Sequence, residues 1–403
     1  MNWEPTREAG LARLQAFLPS AGRAYAARRN ADHGPADRSN ISALSPWIRR
    51  RLITEEEVVA AVLSTHSFSA AEKFIQEVYW RSYWKGWLEM RPSLLWRFDA
   101  ERIALNTRLS SDRQLARRFE AAIDGRTGID CFDAWVAELI EHGWLHNHAR
   151  MWFASIWIFT LGLPWQLGAD FFYKHLLDAD PASNTLSWRW VAGLHTQGKH
   201  YLARAENIER NTLGRFNPVG QLNERAMPLH EDVPPPLRSA IPVPPMIGAK
   251  RVALLLTEED LHPESWTLNA DVVAIAALPT AHVGLDDGPA MRFARNAIVD
   301  GCARASRHFG VDAVLQEPVQ LADWARRVGV TEIVTGYAPV GLVARRLDHA
   351  TRDLAKDGIR LLPLRRERDS KTWPHASAGF FKLKAKIPAL VAALPQRQLG
   401  FAL

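Results

Sequence analysis

The segment DADPASNTLSWRW, residues 178–190, places three kinds of side chain at short spacing. Asp178 and Asp180 can pair with a cation or accept hydrogen bonds, and Asn184 can both donate and accept. Two tryptophans follow, which offer large stacking surfaces. Taken alone, the two acids also fit a helix cap in front of the proline, so the segment by itself does not define a reaction.

Composition limits the class of protein. With 403 residues, 47% of them hydrophobic and 23% charged, the chain is long enough for two globular domains. The net charge of +6 fits an anionic partner such as nucleic acid. Arginine-rich proteins encoded by high-GC genomes, however, are often basic without such a partner. Packing in a helical core explains many of the 16 tryptophans, but not why they cluster with acids and amides.

Two cysteines, Cys131 and Cys302, exclude a disulfide framework and a cysteine-based metal site. They favour a reducing, cytoplasmic environment. The opening residues MNWEPTREAG lack the apolar segment of a signal peptide. The longest apolar run, residues 151–165, is too short to cross a bilayer, so we expect a buried helix there and no membrane segment.

The periodicity predicts a multidomain α and α/β protein. Apolar residues recur at three and four positions over 1–214, which predicts an all-α domain, including a helix capped by Asp130 or Thr127. Proline-rich residues 215–250 predict a linker. Residues 251–403 alternate short apolar runs with helical segments, which predicts a Rossmann-like domain with a five-stranded parallel sheet. The five predicted strands are RVALLL, DVVAIAAL, DAVLQ, TEIVTG and IRLLPL.

The helical half resembles the flavin-binding domain of the photolyase/cryptochrome family over nearly all of residues 20–190. The family pattern is Thr-Gly, an Asp on the next helix, Gly-Trp-Met-His-Asn-x-x-Arg-Met, Asp-x-Asp, Asn and Trp-x-Trp. The matching residues are Thr127, Gly128, Asp133, Gly143, Trp144, His146, Asn147, Arg150, Met151, Asp178, Asp180, Asn184, Trp188 and Trp190.

The resemblance implies FAD as the cofactor. Upstream, AGRAYAARRN, RSNISAL and FIQEVYWRSYW match further family segments, with Arg38 replacing a threonine of the phosphate loop. Asp178 is expected to pair with Arg150, and Asn184 to face the flavin N5, where an amide favours repair over signalling. The implied FAD-binding residues are Tyr25, Arg38, Ser39, Asn40, Ile41, Ser42, Phe74, Arg81, Asn147, Arg150, Asp178, Asp180 and Asn184.

The family match also implies a lesion pocket. Trp80 and Trp190 would stack on a flipped pyrimidine dimer, Glu77 and Asn147 would hydrogen-bond its base edges, and Met151 would pack against it. For each of these residues taken singly, core packing is an equally simple interpretation.

An electron relay is implied by Trp188 and Trp165. The third family position falls near Ala122, so the relay either ends early or uses Phe119 or Trp157.

Basic residues suggest contacts with DNA. Arg29 and His148 occupy DNA-contacting positions of the family. The runs WIRRR and QLARRF fit either solvated faces or a surface that follows phosphates. His142 and His146 share a helix face, but no third ligand is evident, so we expect no metal.

The α/β half resembles the antenna-type domain that precedes the flavin domain in this family. The segments RVALLLTEEDLHPE and AGFFKLKAKIP carry this resemblance. Because this domain follows the flavin domain here, we predict a circular permutation. Leu95-Trp96 replaces the Cys-Lys of folate-binding members, which argues against folate and leaves any antenna chromophore open.

The resemblance therefore predicts a monomeric photolyase that uses light to split cyclobutane pyrimidine dimers in UV-damaged DNA. The alternatives are a cryptochrome-like blue-light photoreceptor, and a flavoprotein that binds DNA structurally.

Overall fold

A computed structural model describes residues 3–279, 288–316 and 320–394. Helices fill the first half, as predicted. Their bounds are α1 Arg7–Phe17, α2 Arg23–Arg28, α3 Ser45–Arg49, α4 Glu55–Thr65, α5 Phe68–Glu89, α6 Ser93–Leu109, α7 Arg113–Ile123, α8 Asp130–His142, α9 Asn147–Ser155, α10 Trp165–His175, α11 Pro181–Ala192 and α12 Ala205–Asn211.

Five strands of the described residues form one parallel sheet, as predicted, and their order in it is β3-β2-β1-β4-β5. The strands are β1 Arg251–Leu256, β2 Asp271–Ala277, β3 Ala313–Leu315, β4 Glu332–Gly336 and β5 Arg360–Leu364. The helices of this half are α13 Pro289–Phe309, α14 Leu321–Val328, α15 Leu342–Lys356, α16 Glu367–Thr372, α17 Phe380–Lys384 and α18 Ile387–Ala392.

Both faces of the sheet are covered. Val252 and Leu254 of β1 belong to the apolar cluster that also contains α13 and the core of the helical half. Ala253 and Leu255 point the other way, into a second cluster with residues of α14 and α15. This alternation is what a parallel strand with a helix layer on each side requires.

The start of α8 differs from the prediction. The expected cap at Asp130 or Thr127 is wrong, because Ile129 stands at the N-cap position without a side-chain bond. Instead Asp133, inside the first turn, accepts hydrogen bonds from the backbone nitrogens of Thr127 and Gly128, each at 3.0 Å. These bonds hold the turn before the helix, and a carboxylate in the first turn suits the helix dipole.

Most of the apolar run at 151–165 lies in a buried helix, as predicted, whereas residues 161–164 lie outside any helix. Helix α9 continues through a π-helical turn, Ile156–Thr160, and the run then passes Gly162, whose φ is +61°. No helix of the described residues is long and apolar enough to cross a membrane.

Residues 215–250 form no helix or strand, but they are held in place by hydrogen bonds. Arg189 binds both carboxylate oxygens of Glu231 at 2.6 and 2.9 Å. The backbone N–H of Ser239 donates to Met90 at 2.8 Å, and that of Gly248 donates to Glu332 at 3.0 Å. This segment therefore lies along the surface of both halves.

The run WIRRR is neither a solvated face nor a phosphate-binding surface. Its three arginines are buried and pair with acids of the α/β half. Arg49 binds Glu259 through two bonds of 2.6 and 2.7 Å. The other pairs are Arg50 with Glu258 at 2.9 Å, and Arg51 with Asp260 at 3.2 Å and with Asp369. The run QLARRF, in contrast, does have its arginines exposed.

Glu258, Glu259 and Asp260 follow β1 closely, so the carboxyl end of this strand is bound to the end of α3 and the turn after it. Arg51 adopts a left-handed backbone with φ +51°, which costs energy for a residue with a Cβ. Asp260 also binds Arg366 through two 2.7 Å bonds. Burial would raise the pKa of Asp260, but the two arginines hold it well below its usual range. We call Arg49, Arg50, Arg51 and their acid partners the arginine clamp.

We expect Asp260→Asn to lower the free energy of unfolding by about 3 kcal/mol, because it leaves two buried guanidinium groups without their shared carboxylate. Urea denaturation at neutral pH measures this. The wild-type contribution is fully present above the ordinary pKa of an aspartate and declines as the pH falls towards the depressed value.

Asp353→Asn is the matched control. Asp353 bonds Lys356 at 2.8 Å, but both side chains are mostly exposed. This variant should unfold like the wild type. An equal effect of the two substitutions would contradict a structural role for the clamp.

Candidate flavin and DNA site

Helix α5 carries five charged residues at intervals of four, Lys73, Glu77, Arg81, Lys85 and Glu89. This spacing puts them along one helix face. Glu77 pairs with Arg29 near one end of the face. Further along, Arg81 binds Asp180 at 2.6 Å and Glu89 accepts a hydrogen bond from Tyr337 of the α/β half. Helix α5 therefore connects the predicted lesion pocket, the predicted flavin residues and the α/β half.

Asp180 is buried and has two roles. As the N-cap of α11 it accepts hydrogen bonds from the backbone nitrogens of Ala182 and Ser183, both at 3.1 Å. Its other oxygen binds Arg81. Burial would raise the pKa of Asp180, but the charges of Arg81 and Lys85 lower it to about 2. The carboxylate is therefore ionised at neutral pH, and the simple cap suggested by the local sequence is present together with an ion pair.

The expected pair between Asp178 and Arg150 is present. The Arg150 guanidinium donates to the Asp178 carboxylate at 3.1 Å and to the Leu145 carbonyl at 3.0 Å. Asp178 is buried. Although burial raises the pKa of a carboxyl, Arg150 and Arg81 hold that of Asp178 below its ordinary value.

Trp144 brings several predicted flavin residues together. The guanidinium of Arg38 lies 4.6 Å from its ring centroid and that of Arg150 lies 5.7 Å away. The indole N–H donates to Ser45 Oγ at 3.3 Å, and Ser45 also hydrogen-bonds Asp178. Through this one indole, the loop that begins at Arg38 contacts the ion pair of Asp178 and Arg150.

The predicted phosphate loop, residues 38–42, is held by its backbone. Arg13 donates to the carbonyl oxygens of Arg38, Ile41 and Ser42 at 2.9, 2.7 and 2.7 Å. The Asn40 amide donates to the Arg28 and Ala31 carbonyls, so it anchors the loop. Ser39 is exposed and Ser42 half-buried.

Arg38 has an unused donor that fits a phosphate group. Its Nη2 binds Glu138 at 3.0 Å, whereas its buried Nε has no hydrogen-bond partner among the described residues. Burial, followed by the nearby charge of Asp32, raises the pKa of Glu138 to about 7. An unused nitrogen donor beside a carboxyl that protonates near neutrality suits an anionic ligand such as the FAD diphosphate. Arg38, Arg81 and Arg150 are the residues that would hold it.

Tyr25 and Phe74 pack together in the core. Their ring centroids are 5.2 Å apart in an edge-on arrangement, and Phe17 lies 5.0 Å from Phe74. Burial, and secondly the charge of Glu77, raises the pKa of the Tyr25 hydroxyl well above its ordinary value. The Tyr25 phenol is therefore neutral and available as a hydrogen-bond donor.

Arg29 and His148, predicted to contact DNA, lie near each other. The His146 ring hydrogen-bonds the Arg29 carbonyl at 3.1 Å and His148 hydrogen-bonds the Asn30 carbonyl at 2.8 Å. Burial lowers the pKa of His146 to about 4, so that imidazole is neutral. No group of three or more His, Cys, Asp or Glu suited to a metal ion occurs in residues 3–279, 288–316 and 320–394.

The residues predicted for the lesion pocket fall into separate contacts. Trp80 stacks on Phe380 of α17, with centroids 3.8 Å apart and planes 12° from parallel. Trp190 stacks on Tyr201 at 5.8 Å. Both tryptophans are half-buried, so part of each indole reaches solvent. A base that stacks on Trp80 has only one face of the ring to use, because Phe380 covers the other.

The remaining two pocket residues lie together on α9. Asn147 is exposed, and its amide lies 3.9 Å from the sulfur of Met151, one turn further along the helix.

The two predicted relay tryptophans have different neighbours. Trp188 is buried, its indole N–H has no partner among the described residues, and Trp157 lies 6.2 Å away. Phe119 lies 6.0 Å beyond Trp157. Trp165 instead stacks on Phe98 at 5.3 Å, and it shares no ring contact with Trp188 among the described residues. A Cβ at position 168 would overlap the Trp188 ring, so glycine is required there.

Asn184 lies one turn after Asp180 on α11. Its amide nitrogen donates to the Ala169 carbonyl at 2.7 Å, which fixes the side chain and leaves its oxygen as the remaining polar atom.

Three residues of the site had not been predicted. Arg13 and Glu138 contact the phosphate loop from 25 or more residues away, and Phe380 contacts Trp80 from 300 residues away. No local pattern marks these contacts. Glu89, which contacts the α/β half, was also not predicted, and the interval of four along α5 is the signal that could have placed it on the same face as Arg81.

Part of the helical half is similar to known proteins. Residues 74–237 match the family model for the FAD binding domain of DNA photolyase. A deoxyribodipyrimidine photo-lyase of Agrobacterium fabrum is 31% identical over 206 residues, which are 47% of this chain and 39% of that protein. Cryptochrome-1 of Arabidopsis thaliana is 34% identical over 110 residues, covering 27% of this chain and 16% of that protein.

Among solved structures, a bacterial class III photolyase from Agrobacterium tumefaciens is 30% identical with a TM-score of 0.43, covering 51% of this chain and 42% of that one. The chain therefore spans less than two thirds of the length of the relatives it matches. The helical half of this chain therefore contains a domain of the photolyase FAD-binding type, and FAD is its cofactor.

Proposed function

We propose that the protein repairs UV-damaged DNA, splitting cyclobutane pyrimidine dimers in a light-driven reaction. The observation that carries this proposal is the position of Trp80 and Trp190. Both are half-buried and keep part of their indole in solvent, and each lies on a helix that also carries a predicted flavin ligand, Arg81 on α5 and Asn184 on α11. Partly exposed indoles next to a cofactor site can stack on an extruded base.

The flavin side of the site would be held by charge and by fixed geometry. Bound FAD supplies light absorption and one-electron chemistry. Arg38 and Arg81 would donate to its anionic groups. Asp178 keeps Arg150 in place, and the Asn184 oxygen, fixed through the bond to Ala169, would meet a donor on the cofactor.

The DNA side would use the half-buried indoles and the polar groups beside them. Glu77 and Asn147 would bond the base edges and Met151 would pack against the lesion. Glu77 now binds Arg29, so Arg29 would release it to the lesion and turn to a phosphate. The match to cryptochrome-1 supports the second candidate, a blue-light photoreceptor without repair activity.

We also propose that Trp188, after losing an electron, is reduced by Trp157, with which it is in ring contact. Phenylalanine is much harder to oxidise than tryptophan, so Phe119 would not continue the relay. We further propose that the α/β half is an antenna-type domain in permuted order, with the domain boundaries given above.

The relay predicts that Trp157→Phe removes most of the light-driven reduction of bound FAD, whereas Trp165→Phe has a smaller effect. The loss of oxidised-flavin absorbance under illumination with an external reductant measures this. Equal FAD content in the variants is the control. A larger loss in Trp165→Phe would favour the family's usual route instead.

FAD affinity should fall as the pH rises through about 7. Ionised Glu138 competes with a phosphate for Arg38, and its pKa of about 7 places that competition between pH 6 and 8. With full competition, the dissociation constant for FAD is up to about tenfold larger at pH 8 than at pH 6. Fluorescence titration of FAD measures it. Glu138→Gln should bind FAD equally at both values, and an unchanged pH dependence in that variant would exclude Glu138.

The decisive assay is light-dependent repair. The FAD-loaded protein is chemically reduced, mixed with a dimer-containing oligonucleotide and illuminated, with a dark sample as control. We expect recovery of the pyrimidine absorbance in the light only. If the protein holds reduced FAD and binds the oligonucleotide but no absorbance returns, the repair proposal fails and the photoreceptor is favoured.

Trp190→Ala tests the pocket. It should weaken binding of the damaged strand about tenfold, through loss of base stacking, and leave FAD bound. Trp96→Ala is the matched control, because Trp96 is an exposed tryptophan packed under Arg345, outside the proposed pocket. Loss of FAD in Trp190→Ala would assign that indole to the core.

A further inference from the structure

The segment 377–380 of the α/β half is bonded to helix α5 and to Arg91, just after that helix, beside the proposed lesion pocket. The Tyr83 hydroxyl donates to the Ala378 carbonyl at 2.9 Å, and Arg91 donates to the Ser377 carbonyl at 2.9 Å. The Phe380 ring then lies on Trp80 and is itself buried. Two hydrogen bonds and an aromatic stack fix the start of α17 against the pocket.

The next residue, Phe381, points away from the protein. Its side chain is 80% exposed, whereas the neighbouring Phe380 is 6% exposed. A single exposed apolar residue is common, but this one is held on a fixed support next to an indole that is proposed to stack on a base.

The charged residues that lie near Phe381 in the sequence have one sign. Lys382, Lys384 and Lys386 follow it, and no acid occurs from residue 370 to residue 394. Lys382 and Lys386 are exposed. An exposed aromatic ring among lysines matches the chemistry of a nucleic acid strand, because the ring stacks on bases and the lysines neutralise phosphates.

We propose that α17 and the lysine after it form a DNA-binding element, in which Phe381 stacks on a base next to the flipped nucleotide and Lys382 and Lys386 bind the strand's phosphates. Apolar side chains inserted beside a displaced base occupy the space that it leaves and keep the helix open. The proposal rests on the DNA-repair function above and adds to it that the α/β half takes part in DNA binding.

The test measures binding of a labelled single strand with one dimer, and of the same strand undamaged, by fluorescence anisotropy. Phe381→Ala should bind the damaged strand about tenfold more weakly, and Phe381→Trp should restore binding because it keeps a stacking ring. Val299→Ala, which shortens another exposed apolar side chain, is the control. FAD content and the thermal midpoint should not change.

The lysines are tested by salt dependence. The double variant Lys382→Ala, Lys386→Ala should lower the slope of log affinity against log salt by about 1.4, which corresponds to two phosphate contacts on a single strand. Lys356→Ala, which removes an exposed lysine of α15, should leave the slope unchanged.

The outcomes separate the two proposals. If wild type prefers the damaged strand but Phe381→Ala binds as tightly, the repair function stands and the role of α17 is overturned. If wild type shows no preference for damage but both α17 variants lose affinity for either strand, the repair function fails and α17 remains a DNA-binding element. Lack of any DNA binding by wild type overturns both.

Discussion

The arginine clamp determines how the two halves of the molecule fit together. Three consecutive arginines at the end of α3 are removed from water, and such charges are costly unless each meets an acid with good geometry. The acids of the segment after β1, together with Asp369, provide that geometry. The backbone conformation of residues 49–51, including the left-handed Arg51, therefore depends on contact with the α/β half.

The site depends on this docking from two sides. The predicted phosphate loop lies only a few residues before Arg49, so the clamp fixes the direction in which the loop enters α3. On the other side, Arg368 donates to Ser82 at 2.8 Å, and Gly86 lies so close to Trp373 that an added Cβ would be 2.8 Å from its Cα. Helix α5, which carries Glu77 and Arg81, is thereby positioned by the α/β half.

The carboxyl ends of β1 and β4 also lie at the contact between the α/β half and the helical half. In open parallel sheets, ligands usually bind in the crevice beyond the carboxyl ends of the strands where the strand order reverses. Here that place lies between β1 and β4, where Glu258 and Asp260 bind arginines and Tyr337 binds Glu89. Side chains of the helical half occupy the region that such sheets commonly offer to a ligand.

The strands, and the ion pair between two residues of the family motif, could be predicted from the sequence. Each predicted strand lies within one or two residues of the observed one, because periodicity and β-branched content are local signals. The pair of Asp178 with Arg150 followed from the family pattern. The partners of Arg49, Arg50 and Arg51 did not, because a run of arginines is compatible with water, phosphate or carboxylate, and its acids lie about 210 residues away. The contact of Phe380 with Trp80 was missed for the same reason.

The long separation within the clamp also affects the order of folding. Chains are made from the N-terminus, and domains generally fold as they emerge. Arg49, Arg50 and Arg51 are made about 210 residues before Glu258 and Asp260, and Arg51 is made 318 residues before Asp369. During that interval the arginines remain hydrated and α5 lacks its later neighbours. We therefore expect the flavin-binding half to reach its final geometry only after the α/β half has been synthesised, which would make cofactor loading a late step in the maturation of the protein.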